Sequence, residues 1–308
     1  MNKPPEQVLL TGAAATALRT AAGVFRWLLR SRVFERIGWQ YAATIRRRLS
    51  PAVQIETRYS NNVRFIANLK DHIESQIFWQ GVQEGDRGKM ALMLRELQPD
   101  SVLFDIGANV GAFTLAAASQ LPEGEVHAFE PWPVHLGRLC ANIRLNGFAN
   151  VHVNPFALGK EKQTATLHII DPVNTGMATL YPGENGPNIP SVDQTLISCQ
   201  VLDDYVRERG MARIDMMKID VEGSELNVLK GGRKTLEHFR PKLLMELNPS
   251  HLERAGATAD CIFTLLSKYG YSIARIEHNS KLTPLSGPKD LIEHQNVYCV
   301  SDRRSVMR

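Results

Sequence analysis

Short apolar runs alternate with helix-like segments over the last two thirds of the chain. The runs are VLFDI (102–106), VHAFE (126–130), VHVN (151–154), IDMMKID (214–220) and KLLMEL (242–247). Each run has the length of a strand that is buried on both faces, and the segments between the runs have the period of an α-helix. The alternation predicts an α/β domain over residues 101–308, built on a mostly parallel sheet with helices on its faces.

Residues 1–50 have a different pattern, in which arginines separate apolar residues at near-helical spacing. These apolar residues are Val24, Trp27, Leu28, Phe34 and Ile37. The spacing predicts a basic helical extension over residues 1–50, which Pro51 ends. Two interpretations stay open: the helix packs on the main domain, or it binds an anionic membrane face or an acidic partner.

Residues 51–100 lead from this extension into the main domain. Apolar and polar residues alternate from Val53 to Ala67 on both sides of Ser60-Asn61-Asn62, which predicts a β-hairpin. Residues 71–97 are predicted to be helical. Farther along, the turn-rich stretch YPGENGPNIPSVD (181–193) predicts an inserted loop near the open face of the sheet.

The composition indicates the cellular compartment and shows that charge is distributed unevenly along the chain. A chain of 308 residues with 44% hydrophobic content can build a substantial core. Residues 1–50 carry nine Lys/Arg and two acidic residues, a formal charge of +7, so the rest of the chain carries −3 of the total of +4. The four cysteines have no metal-binding spacing, and the sequence shows no secretion signal or membrane span, so we expect reduced core cysteines in a cytoplasmic protein. Any membrane association would use residues 1–50. No nucleic-acid partner is expected, because no recognised nucleic-acid-binding module accompanies Arg46–Arg48.

The stretch DIGANVG, which begins at Asp105, follows the first parallel strand. Gly107 and Gly111 let the backbone pass close to a ligand, and free N–H groups where the next helix starts attract an anion. The Asp105 carboxylate would repel a pyrophosphate, so the loop favours a ligand that carries an ammonium beside a carboxylate. S-adenosylmethionine has both groups. We expect Asp105 to bind its ammonium and the loop, with Ala108 and Asn109, to bind its carboxylate; a tight turn without a ligand is the alternative.

Further polar groups follow the next two strands. Glu130 comes about 20 residues after the loop, where a carboxylate can accept hydrogen bonds from both ribose hydroxyls. Asn154, Phe156 and Ala157 follow the third strand, at the height expected for an adenine ring. The alternative for Glu130 is a solvated carboxylate at the end of a strand. The alternative for the three residues after the third strand is ordinary loop packing. A ribose carboxylate suits NAD as well, although the GxxxG spacing of the loop differs from the GxGxxG of dinucleotide sites.

A resemblance to a known family adds to this prediction. The motifs that carry it are DIGANVG, VHAFEP, CQVLDDYV (199–206), MMKIDVEGSELNVLKGG (216–232) and PKLLMELN (241–248). In this order and spacing, from about Ile77 to Leu247, they resemble the FkbM family of class I methyltransferases. The resemblance implies a Rossmann-like fold with a seven-stranded, mostly parallel sheet, and the late strands 271–277 and 296–300 would supply its antiparallel hairpin. It also implies methyl transfer from S-adenosylmethionine, usually to a hydroxyl oxygen.

The family's motifs can be carried over residue by residue. They place the cofactor loop on Asp105, Gly107, Ala108, Asn109 and Gly111, the ribose carboxylate on Glu130, and a second acidic motif on Asp220, Glu222 and Gly223. Because an alcohol is a poor nucleophile while it is protonated, a base that accepts its proton adds about 10²–10⁴ in rate. We expect Asp220 to hold the methionine end or the acceptor, and Glu222 to act as the base. Capping of the next helix and Mg²⁺ binding are the alternatives; no third ligand has the required spacing, so no metal site is predicted.

Two other function classes fit the same fold. One is a nicotinamide-dependent dehydrogenase, which the loop spacing disfavours, and the other is a non-catalytic binding module. For a methyltransferase, the expected partner is a small-molecule or carbohydrate acceptor. Its specificity is expected to reside in residues 1–50 and in the insertion 171–195, where Asn174, Thr175 and Gly176 line the acceptor pocket or form a plain loop.

Overall fold

The computed structural model describes residues 8–29, 50–60, 62–183, 189–292 and 294–301. Contacts divide the chain into two units. The first comprises the described residues up to Asp86 together with Pro172–Gly176, and the second comprises Arg87–Asp171 and the described residues from Met177 onward. Phe34, Ile37 and the arginines of residues 30–48 lie outside the described residues.

In its described residues, the first unit combines a small sheet with two helices. Its elements are β1 (Leu9–Leu10), α1 (Gly12–Leu29), β2 (Gln54–Tyr59), β3 (Val63–Asn68) and α2 (His72–Gln80). Strands β2 and β3 are antiparallel, and Tyr59 pairs with Val63 across the turn, so the predicted hairpin is confirmed. Phe25 of α1 packs edge-on against Trp79 of α2, with 5.8 Å between the ring centroids. Apolar burial therefore holds α1 within this unit, while Trp27 on the same helix is 69% exposed.

The helical prediction for residues 71–97 is confirmed, but the stretch forms two helices rather than one. The Asp71 side chain accepts the N–H of Glu74 and starts α2, and Gly81 ends this helix with a φ of 82°. The left-handed conformation at a helix end suits glycine, which has no Cβ to clash. A separate helix, α3 (Arg87–Glu96), then begins in the second unit.

The second unit is built on a large sheet. The elements of its first half are β4 (Val102–Ile106), α4 (Ala112–Ala118), β5 (Glu125–Phe129), α5 (Pro133–Asn146), β6 (Val151–Asn154), β7 (Ala157–Gly159), β8 (Gln163–Ile169), β9 (Ala178–Thr179) and β10 (Asp193–Val201). The elements of its second half are α6 (Leu202–Arg209), β11 (Met216–Ile219), α7 (Glu225–Gly231), α8 (Arg233–Phe239), β12 (Lys242–Leu247), α9 (Pro249–Arg254), α10 (Ala259–Lys268), β13 (Tyr271–Ile276), β14 (Leu282–Pro284) and β15 (Gln295–Ser301).

Among the described residues, eight strands form this sheet in the order β14-β13-β15-β12-β11-β4-β5-β6. The strands from β12 to β6 are parallel, whereas β15 is antiparallel to both β12 and β13. The predicted Rossmann-like sheet, with one reversed strand among seven, is confirmed, and the three-residue β14 is added at its edge. All five residues of β4 are buried, as expected for a strand covered on both faces.

A second sheet was not predicted from the sequence. It has the order β7-β10-β8-β9 within the described residues. Strands β8 and β10 run antiparallel, and Asp193 pairs with Ile169, so the turn-rich stretch ends where β10 begins. Leu196 on β10 is 72% exposed.

The described helices and the cysteines bear on two further expectations. None of the helices in the described ranges is long and apolar enough to cross a membrane. Cys199 and Cys299 are buried as predicted, whereas Cys261 is exposed.

Candidate active site

The fold brings the two motif loops together at one edge of the large sheet. β4 and β11 are neighbouring parallel strands, and the ligand sites of open α/β sheets lie beyond the carboxyl ends of such strands. Gly107 follows β4 with a φ of +80°, and a Cβ on this residue would lie 2.0 Å from the carbonyl oxygen of Asp220, which follows β11. Glycine is therefore required at position 107, because the backbones of the two loops are in direct contact there.

A buried lysine joins these loops. Asp105 and Lys218 are register partners on β4 and β11, and Lys218 Nζ lies 3.2 Å from Asp105 Oδ1. The same ammonium donates to the carbonyl oxygen of Gly107 at 2.7 Å. Asp105 has 0% exposed surface, and its other oxygen accepts from the Thr114 hydroxyl at 2.6 Å. The Asp105 carboxylate is therefore engaged inside the domain rather than presented as a free group.

A second lysine completes the network. Lys89 Nζ of α3 donates to Asp220 Oδ2 at 2.9 Å, and the Lys89 side chain is fully buried. Lys218 Nζ lies 3.7 Å from the same oxygen. Burial by itself would raise the pKa of the Asp220 carboxyl, but the charges of Lys89 and Lys218 outweigh this effect and hold the pKa well below its usual range. Asp220 is therefore ionised at neutral pH, and both lysine ammonium groups lie beside its Oδ2.

The amides of the glycine loop are already used within the protein. Gly107 N–H and Ala108 N–H both donate to the carbonyl oxygen of Phe129 at 3.0 Å. Asn109 N–H donates to Glu130 Oε2 at 2.8 Å. Val110 N–H and Gly111 N–H donate to Asn109 Oδ1 and to the Ala108 carbonyl oxygen, respectively. The amides of residues 107–111 therefore hydrogen-bond to the protein itself, and the anion site expected at the start of α4 stays a prediction.

Glu130 ties the loop to the end of β5. Its Oε2 accepts from Asn109 N–H at 2.8 Å, and its Oε1 accepts from Trp132 N–H at 2.9 Å. Burial raises the pKa of Glu130 to about 7, although the two backbone hydrogen bonds oppose this shift. Each carboxylate oxygen has two lone pairs, so each retains the capacity to accept one more hydrogen bond.

The residues expected near an adenine ring lie beside Glu130. The carbonyl oxygen of Asn154 accepts the N–H of Glu130 at 3.1 Å. The Asn154 side chain is buried and donates to the carbonyl oxygens of Ala128 and His152. Phe156 is half-buried and packs edge-on against Phe129 at 5.8 Å, and Ala157 begins β7.

Glu222 occupies an unusual backbone conformation in the second motif loop. It has a φ of 52°, which is uncommon for a residue other than glycine and is often found at functional sites. Its Oε2 lies 2.9 Å from His251 Nδ1. The next residue, Gly223, allows this approach, because a Cβ there would lie 2.8 Å from the carbonyl oxygen of His251. Burial and, to a smaller extent, the negative charge of Asp220 raise the pKa of Glu222 to about 8.

Two further carboxyl groups complete this edge of the sheet. Glu246 on β12 lies 3.1 Å from His294 Nδ1, and burial together with the charge of Asp220 raises the pKa of Glu246. Glu225 accepts the N–H groups of Val221 and Gly223, and burial raises the pKa of Glu225 to about 8. Glu225 therefore stabilises the loop that presents Glu222.

Sequence reasoning missed four residues of the site: Lys89, Lys218, His251 and His294. Lys218 was signalled by its position, because a lysine inside an apolar strand is rarely buried without a partner. The other three have no local signal, because their carboxylate partners are distant in sequence. Lys89, for example, binds Asp220, which is 131 positions away along the chain.

Comparisons with known proteins agree with the site's motifs. The model of the methyltransferase FkbM domain matches residues 105–273. Methyltransferase sdnD of Sordaria araneosa is 31% identical over 207 residues, which cover 59% of this chain and 78% of that protein. Methyltransferase 1 of Beauveria bassiana is 29% identical over 189 residues, which cover 57% of this chain and 74% of that protein. The 31-O-demethyl-FK506 methyltransferase FkbM of Streptomyces tacrolimicus is 34% identical over 160 residues, which cover 44% of this chain and 61% of that protein.

Proposed function

Because the chain belongs to the FkbM methyltransferase family, we propose that it transfers a methyl group from S-adenosylmethionine to a hydroxyl oxygen of a small-molecule or carbohydrate acceptor. The observation that carries this proposal is the direct contact between the two motif loops. The second loop carries Asp220 and Glu222, and the glycine loop binds Glu130 through Asn109. All three carboxyl groups therefore lie at the carboxyl edge of one sheet, where such sites form.

The residues at this edge fit S-adenosylmethionine by their chemistry. Glu130 has spare lone pairs for the two ribose hydroxyls, and the half-buried ring of Phe156 offers an apolar surface for adenine. Asn154 and Ala157 flank this surface. Asp105 fits less directly, because its carboxylate is buried and paired. We therefore assign Asp105 a positioning role, in which it holds Lys218 and the glycine loop in place, and we assign the methionine end to Asp220.

The protein's own residues supply what the reaction needs besides the methyl donor. When bound, S-adenosylmethionine supplies a methyl group on a positively charged sulfur. An acceptor hydroxyl has to be held in line with that group and must lose its proton. Glu222 is the proposed base, and the contact of its Oε2 with His251 Nδ1 at 2.9 Å orients the carboxyl group.

The choice of oxygen as the methyl acceptor is supported by a relative. The Streptomyces tacrolimicus relative is named as a methyltransferase of 31-O-demethyl-FK506, and this name identifies an oxygen as the atom that receives the methyl group in that protein. The raised pKa of Glu222 supports the same choice, because a base with a pKa near 8 suits proton removal from a hydroxyl near neutral pH.

Calorimetric titration with S-adenosylhomocysteine and with NAD⁺ tests the cofactor assignment. We expect S-adenosylhomocysteine to bind and NAD⁺ not to bind. Glu130→Ala should weaken S-adenosylhomocysteine binding at least tenfold, or by about 1.4 kcal/mol, whereas the surface control Glu161→Ala should not. Binding of NAD⁺ instead would favour a dehydrogenase, and binding of neither ligand would favour a non-catalytic module.

Transfer of labelled methyl groups tests the acceptor. The protein is incubated with labelled S-adenosylmethionine and a small-molecule extract, and products are identified by mass spectrometry. We expect a product with the label on an oxygen. A label on nitrogen or carbon would contradict the hydroxyl assignment while leaving the cofactor assignment intact.

A further inference from the structure

Three potential metal ligands converge away from the candidate active site. They are Glu125 and His127 on β5 and His152 on β6, and their ligand atoms all lie within 4.8 Å of one another. Glu125 and His127 are two apart on a strand and therefore share a face. His127 and His152 are register partners on neighbouring parallel strands. The sheet thus brings together two imidazoles and one carboxylate that are separated in sequence.

We propose that Glu125, His127 and His152 form a binding site for a divalent transition metal ion of the Zn²⁺ type. Two imidazoles with one carboxylate are a recurrent ligand set for such ions, and a water molecule would fill the fourth position.

The geometry around His127 points to a missing ligand. Its side chain is buried, with 2% exposed surface for the residue, yet Nε2 makes no hydrogen bond to any described residue. Glu125 Oε1 lies 3.3 Å from this nitrogen. Two ligand atoms that bind one tetrahedral ion at about 2.0 Å are about 3.3 Å apart. The carboxylate oxygen and the imidazole nitrogen therefore have the separation expected for two atoms that share an ion.

The other ring nitrogen of His127 is held in the way that metal-binding histidines are held. His127 Nδ1 lies 2.6 Å from the hydroxyl of Tyr205 in a buried contact. Such a partner fixes the orientation and tautomer of the ring, so that the opposite nitrogen faces the metal.

His152 and Glu125 give an ion access from solvent. His152 Nε2 lies 3.0 Å from Glu125 Oε2, and the two side chains are 41% and 36% exposed. The rings of His127 and His152 are stacked at 4.7 Å, so binding requires the exposed His152 ring to turn toward the shared position. Glu125 is the first residue of β5, and Glu130 follows the last residue, about 16 Å farther along the strand. The site is therefore separate from the proposed cofactor site.

Zn²⁺ binding by the full chain, with any affinity tag removed, tests the proposal. After treatment with a chelator, the protein competes for Zn²⁺ against a chromophoric chelator at pH 7.5. We expect His152→Ala and Glu125→Ala each to lose one equivalent of bound Zn²⁺ per chain. His238→Ala, which removes an exposed histidine outside the cluster, should keep it. Tyr205→Phe should keep the equivalent but bind it about 10–100-fold more weakly.

A second measurement separates metal binding from folding. Both ligand side chains are partly exposed, so His152→Ala and Glu125→Ala should keep the melting temperature of the metal-free wild type and its affinity for S-adenosylhomocysteine. Zn²⁺ should raise the melting temperature of the wild type and of His238→Ala, but not that of His152→Ala or Glu125→Ala. Equal Zn²⁺ stoichiometry and affinity in the wild type and His152→Ala would overturn the proposal and leave the cluster as a hydrogen-bonded group.

Discussion

Replacing Gly107 by alanine tests whether the two motif loops depend on their backbone contact. The change has two costs. Alanine in the left-handed conformation costs about 1–2 kcal/mol, and Gly107 has a φ of +80°. In addition, the new Cβ would lie 2.0 Å from the carbonyl oxygen of Asp220, so the loops have to separate. Overpacking of this kind costs about 1–3 kcal/mol. We therefore expect Gly107→Ala to lower the free energy of unfolding by about 2–5 kcal/mol.

Gly147→Ala is a matched control for this experiment. Gly147 ends α5 with a φ of +67°, and a Cβ on it would meet no atom within 4 Å. The control thus has the conformational cost without the overlap, and it should lose only about 1–2 kcal/mol. Since 1 kcal/mol shifts the melting temperature of a domain of this size by about 2–4 °C, Gly107→Ala should melt about 2–12 °C below Gly147→Ala.

Thermal melting and calorimetric titration with S-adenosylhomocysteine are the assays. Gly107→Ala should melt lower than the control and lose affinity for S-adenosylhomocysteine, because displacement of the glycine loop also moves Glu130, which holds it. Gly147→Ala should keep the affinity of the wild type. Equal melting temperatures and equal affinities in the two variants would refute the inference that contact between the loops builds the site.

Three further predictions concern charge, proton transfer and the first helix. Lys218→Met leaves buried carboxylates without their cation, so chemical denaturation should show that the free energy of unfolding falls by about 3–5 kcal/mol. A decrease below about 1 kcal/mol would contradict the buried network. Because the pKa of Glu222 is raised to about 8, the wild-type rate should rise between pH 7 and pH 9 as the base ionises. Glu222→Gln should be slower by about 10²–10⁴ and lose this rise, and an unchanged rate and profile would exclude the base role. The alternative interpretation of residues 1–50, contact with an anionic membrane face, predicts that Trp27→Ser, but not the similarly exposed control Leu196→Ser, reduces flotation with anionic vesicles; equal flotation of both variants would reject it.

Much of the large sheet could be predicted from the sequence, because burial on both faces leaves a clear local pattern. The five apolar runs became β4, β5, β6, β11 and β12. The second sheet left no such pattern, since one face of β10 is exposed and its burial alternates only over part of its length. The helical stretch predicted over residues 71–97 is interrupted at Gly81, whose left-handed conformation ends the first helix.

The candidate site shows the same division between local and distant contributions. The loop from Asp105 to Gly111 could be located from its glycines and acid, but the use of its amides could not, because their acceptors are Phe129, Glu130 and groups within the loop itself. The sequence placed Asp105 at a ligand, whereas its buried neighbours are Lys218 and Thr114. Ion pairs between distant residues have no periodic signature, so only the folded chain shows which acids are neutralised.

This neutralisation divides the acids of the proposed site into two groups. Methyl transfer to a hydroxyl releases one proton for each methyl group, so the site needs a group that accepts a proton near neutral pH. Lys89 and Lys218 hold the pKa of Asp220 well below its usual range, so Asp220 stays ionised and is too weak a base for this task. Burial has the opposite effect on Glu222, whose pKa of about 8 suits it to accept the proton in the proposed reaction. Burial lowers the pKa of His251, 2.9 Å away, so the proton stays on Glu222 rather than on the imidazole. The lysines therefore separate two carboxyl groups that are only two positions apart; in the proposed mechanism, Asp220 positions the reactants and Glu222 takes up the proton.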